Sequence, residues 1–122
     1  MRNASVAVML LATFAPPAGA ADFLAGASYG DKEGCHYATT GESSGADVFF
    51  LLTAESITTA ASVCTILGPA EKAGKSFRVK IQCEAEDGVG EKEIVTLEPS
   101  SDAYTVRFAD GNRWGPLKRC GK

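Results

Sequence analysis

Cys64 and Cys83 stand at mirror positions about the Ala73-Gly74 junction, each inside a run of strand-forming residues. The second run, Ser76 to Cys83, alternates strictly. Phe77, Val79, Ile81 and Cys83 take one face while Arg78, Lys80 and Gln82 take the other, the period of a half-buried strand. The first run, Ser62 to Leu67, precedes a predicted turn segment containing Gly68, Pro69 and Gly74. A hairpin centred at that junction sets Cys64 opposite Cys83 and Ile66 opposite Ile81. Opposed α-carbons of antiparallel strands lie about 4.5–5.5 Å apart, within the reach of a disulfide. Four cysteines admit three pairings, and this register selects Cys64–Cys83, which leaves Cys35 with Cys120. Loop-closure entropy assigns about 3 kcal/mol to the short bridge and about 4–5 kcal/mol to the long one. A zinc site would call for a close Cys pair, which this spacing lacks, so neither metal nor cofactor is expected.

The first residues fit an export signal. Arg2 supplies a positive start, Ala4 to Phe14 is a short apolar run, and Ala18-Gly19-Ala20 offers small residues for cleavage. Residues 1–20 are therefore expected to be removed, leaving residues 21–122 as a single domain in an oxidising compartment, periplasmic or secreted. The apolar run falls short of the roughly twenty residues of a bilayer-crossing helix, and no later segment is longer, so no membrane span is expected. A formal charge of −3 with scattered Lys and Arg gives no reason to expect nucleic-acid binding.

Residues 21–45 are rich in Gly, Ser, Thr and Ala and read as a mostly irregular segment anchored by Cys35. Val48 to Leu52 reads as a buried strand, and Ile57-Thr58-Thr59 as a short strand or extended link. Beyond Cys83, Ala85 to Glu91 suits a turn, Lys92 to Leu97 a strand ended by Pro99, and Tyr104 to Phe108 another. Asp110-Gly111 supplies a tight turn into Arg113 to Cys120, where Pro116 lacks an amide donor and favours a sheet edge. The fold class is thus all-β: a small antiparallel meander forming a twisted sheet or barrel, carrying two disulfides.

Candidate chemistry is sparse. His36, the single histidine, adjoins Cys35, and a Cys-His nucleophile would need that cysteine to be a free thiol. Glu84, Glu86, Asp87, Glu91 and Glu93 crowd one hairpin, where they could bind a hard cation, although their spacing does not match a calcium loop, serve as paired carboxylates, or form a solvated acidic turn protecting a sheet edge. Ser43 and Ser44 lack the strand-turn-helix context of a nucleophile elbow. Trp114 is expected to pack across its hairpin on Phe108, while Tyr29 and Tyr37 flank Cys35 as possible anchors for a partner.

The four-cysteine spacing, with Ile57 to Cys64, Phe77 to Cys83 and a terminal Arg119-Cys120, resembles small exported alphaproteobacterial proteins of no established activity. That resemblance implies a periplasmic β domain. In export, size and β content the chain is also similar to periplasmic C-type lysozyme inhibitors. Those carry a Ser-Gly segment followed by Tyr and a later Thr-Lys-Gly stretch; here Ser44-Gly45 is followed by Ala46, and Thr-Lys-Gly does not occur. The function expected is a non-enzymatic binding module or inhibitor with an envelope or extracellular protein as partner. The alternative is a small hydrolase using the acidic residues of the 84–93 hairpin.

Overall fold

A computed structural model describes residues 22–24 and 26–121; the expected export signal lies outside them. Eight antiparallel strands follow in chain order as an up-and-down meander that closes into a barrel. They are β1 (Tyr29–Gly30), β2 (Phe50–Leu52), β3 (Ser56–Thr59), β4 (Ser62–Ala73), β5 (Ser76–Ala85), β6 (Gly88–Ser100), β7 (Ala103–Arg107) and β8 (Arg113–Arg119), with helix α1 (Lys32–Thr40) between β1 and β2. The turns after β3, β5 and β7 share one end of the barrel, here the mouth, and the turns after β2, β4 and β6 share the other.

Alternation sorts the chain into an apolar inside and a charged outside. Leu52, Ile57, Cys64, Ile81, Leu97 and Val106 are fully buried along the axis, whereas Arg78, Lys80, Lys92 and Arg107 stand exposed on the wall. A membrane barrel has the inverse arrangement, with an apolar outer band and a polar lumen. Eight strands leave an interior just wide enough for side chains to fill, and here they fill it.

The predicted register of the central hairpin is met at its outer half: Cys64 pairs with Cys83 and Ile66 with Ile81. Both disulfides, Cys64–Cys83 and Cys35–Cys120, are formed. The turn itself takes only the end of the predicted segment, at Gly74. Gly68 and Pro69 belong to β4, in a bulge that sets Gly68, Pro69 and Ala70 against Val79 alone, and the chain reverses at Gly74-Lys75. Two extra residues displace the register by an even number, so every side chain keeps its face.

Other expectations change in a similar way. Pro99 does not end its strand, because β6 continues to Ser100; its ladder with β5 stops at Leu97, so the proline has a neighbour on one side only. Pro116 lies in no edge strand, since β8 pairs with β7 and with β1. It occupies a bulge opposite Thr105, and the β1 ladder reaches only Lys118 and Arg119. The buried strand expected over Val48 to Leu52 begins at Phe50, with Val48 outside it and 62% exposed.

The largest correction concerns residues 21–45. Asp31 caps α1, accepting from the Gly34 amide at 2.7 Å, and Gly41 ends the helix in the left-handed region at φ 73°. The same Asp31 carboxylate accepts from the Phe50 amide at 3.1 Å, tying the helix start to β2. Upstream, Asp22–Leu24 forms a single 3-10 turn. Phe23 stacks on Phe77 with centroids 3.8 Å apart, and buried Leu24 joins the core, so this segment plugs the end opposite the mouth.

Tyr29 meets Tyr104 edge-on at 5.0 Å beneath that plug. Burial, and secondarily the facing Tyr29 phenol, raise the Tyr104 pKa above its ordinary value of 10.0. The folded state therefore holds this proton where the unfolded chain has begun to release it. Stability from this group is intact below pH 10 and falls as pH rises through the folded value. Thermal melts across that range are expected to decline more steeply for the native protein than for Tyr104→Phe; parallel curves would refute the assignment.

Candidate functional site

The barrel is closed by its shortest strand. Tyr29 and Gly30 pair with Leu52 and Leu51 on one side and with Arg119 and Lys118 on the other, and among the described residues no further backbone ladder spans that seam. Beyond the end of β1, toward the mouth, side chains take over. Trp114 of β8 packs on Phe50 of β2 with centroids 5.1 Å apart and meets Phe108 at 4.4 Å, the latter contact being the one expected from the hairpin. These three rings form the floor of the mouth.

An apolar recess of about 260 Å³ opens above Phe50 and Trp114, lined also by Val48, Phe49, Thr59, Ala60 and Ala61, with Asp47 at its margin. Tyr37 of α1 stacks on Phe49 at 5.6 Å, and the Ser44 hydroxyl donates to the Glu33 carboxylate, so the helix holds residues 41–49 against the rim. The Ala60-Ala61 turn also borders a second recess, shared with Ala85, Glu86 and Asp87 of the β5–β6 turn. One small-residue turn thus links an aromatic floor to an acidic one.

The residues singled out in the sequence are dispersed. His36 is exposed on α1, and its neighbour Cys35 is bonded to Cys120, which leaves no thiolate for a Cys-His pair. Ser43 accepts from the Gly45 amide at 3.1 Å in the linker after α1. Tyr29 is a core residue, while Tyr37 serves the linker. Glu84, Glu86, Asp87, Glu91 and Glu93 are brought to the mouth, all of them exposed. Among the described residues, no three His, Cys, Asp or Glu side chains are grouped closely enough to hold a metal ion.

Sequence reasoning missed the contribution of residues 47–50 and 60–61. The signal was an apolar run of five, one face too many for a strand that buries alternate residues, beside a pair of alanines in a turn. No protein family, curated protein or solved structure matches this chain.

Proposed function

We propose that this chain is a non-enzymatic recognition module of the periplasm or the extracellular medium, which binds a protein partner at the barrel mouth; inhibition follows where that partner is an enzyme. The observation that carries this reading is the pairing of a 62% exposed Val48 with an apolar recess of about 260 Å³ floored by Phe50 and Trp114. Rigid aromatics beside a pocket are the usual anchors of protein interfaces. The filled axis supports a surface site over a ligand held inside the barrel. Two disulfides support an oxidising compartment, and Cys64–Cys83, near the mouth ends of β4 and β5, holds that side of the rim before binding, which lowers the ordering cost of association.

Crosslinking in envelope extract, read by mass spectrometry, tests this. The native protein is expected to capture the same partner repeatedly. Val48→Arg, a change at an exposed position, is expected to weaken that capture by about thirtyfold, the scale of a two-kcal/mol interface residue. Repeated capture of nothing above background, or equal capture by the variant, would remove the proposal. So would hydrolysis of a glycan or ester that is lost in Glu86→Gln or Glu91→Gln.

A further inference from the structure

We infer that the mouth takes a cationic peptide segment of the partner, with one large apolar side chain seated over Trp114 and flanking Lys or Arg residues above the acidic rim. This rests on the reading of the mouth as the binding site and adds the chemistry of what enters it.

The apolar recess chooses the anchor, and the charges around it choose the flanks. Asp47 borders the aromatic recess; Glu86 and Asp87 border the neighbouring one across Ala60-Ala61. Glu84 sits directly across the ladder from Val63 and from Val89, both exposed, which extends the mixed apolar and acidic character down the outer wall. Glu93 lies opposite fully buried Ile81, on the inward-facing side of β6, and is nevertheless exposed, which places it at the barrel's open end. Asp110 stands in the turn leading to Trp114.

These carboxylates are not neutralised internally. Among the described residues the single ion pair is Arg107 with Glu98, which involves none of these carboxylates. Two bases come near: Lys92 sits in an outer row with Gln82 and Thr65, and Arg113 sits opposite Arg107. A surplus of unpaired negative charge around an apolar floor repels an acidic partner and a second copy's mouth alike. It also steers a basic segment toward the recess at a rate that falls with salt. The alanines at 60, 61 and 85 keep the ground between the two recesses low, so a chain can cross it.

The test is a random heptapeptide display library panned on the purified, disulfide-bonded protein. Enriched peptides are expected to combine two or more Lys or Arg residues with one large apolar residue. Their binding is expected to weaken about tenfold in 0.5 M salt, where the Debye length drops to only a few ångströms. The Glu86→Gln/Asp87→Asn double variant is expected to weaken them about fivefold to tenfold, and Glu55→Gln, at the opposite end, to leave them unchanged. Enrichment without positive charge that is still lost in Val48→Arg would overturn the cationic assignment while sparing the mouth. Enrichment indifferent to Val48→Arg, or none at all, would overturn both. Self-association of the protein that Val48→Arg abolishes would assign this face to a second copy.

Discussion

Replacing Cys35 and Cys120 together with serine is expected to lower the free energy of unfolding by about 4–5 kcal/mol, from loop-closure entropy alone. The bridge spans 85 residues, from the first turn of α1 to the residue after β8, and therefore encloses almost the whole barrel. Its position adds a second reason for a large effect. The seam it crosses is held by a two-residue strand, whereas the interior pairings β4–β5 and β5–β6 run for eight or more residues. With the bridge gone, β1 and α1 are tied to β8 by little more than the Cys120 amide donating to the Ser28 carbonyl and the short β1–β8 ladder. Denaturant unfolding measures the loss, and hydrogen exchange locates it. Protection should fall first at Tyr29, Gly30 and Lys118 and last in β5. A loss below about 1 kcal/mol, with uniform protection, would mean that the barrel closes without the clamp.

Gly34→Ala is expected to destabilise the protein by about 2–3 kcal/mol, the upper range for forcing extra volume into a packed site. In an exposed helix the same change stabilises by up to about 1 kcal/mol, so the sign itself is diagnostic. Gly34 is the one buried residue of α1. A Cβ there would fall on the Phe50 carbonyl oxygen, 2.7 Å from the Phe50 carbonyl carbon and 3.0 Å from the capping Asp31 carboxylate. A Cβ added at Gly30 would likewise meet the Phe50 carbonyl oxygen, at 2.6 Å. Backbone on backbone, with no side chain between, is how the helix start docks on β2. The variant must push α1 outward or break the Asp31 cap, and either movement drags residues 41–49 from the mouth. Thermal melting checks the sign, with a drop of about 10 °C or more expected for a domain this size. An unchanged or higher midpoint would show that the helix is not seated on that carbonyl.

These two sites mark the boundary of what could be read in advance. The alternation of Phe77 to Cys83 and its mirror in Ser62 to Leu67 were legible because period-two patterning survives any twist or curl of the sheet. The Cys pairing followed from that register. Residues 21–45 were misread because Gly and Ser content signals irregularity on average, although here Gly30 and Gly34 permit close packing and Gly41 terminates a helix. Asp31 ten residues before Gly41 was a readable bracket for that helix, with a capping carboxylate at one end and a left-handed stop at the other. Gly68-Pro69 misled for a related reason, since bulges and turns draw on the same residues.

The mouth was the least legible. Five acidic residues in one hairpin were visible in the chain, and so was Trp114, but nothing local joins them. They meet because β3, β5 and β7 all turn at the same end, which places Ala60-Ala61 between Trp114 and the Glu86-Asp87 turn, neither of which is its neighbour in sequence.

The order of residues by itself determined an all-β domain, the inner and outer face of its longest strands, and the Cys64–Cys83 bridge, because each depends on spacing within or between adjacent strands; Cys35–Cys120 followed only as the pair left over. Tertiary structure alone decided that the meander closes into a ring, that a helix seals the seam, and which loops gather into one surface. Those outcomes depend on the accumulated twist of eight strands and on contacts between chain ends, where separations are too long for any local pattern to record.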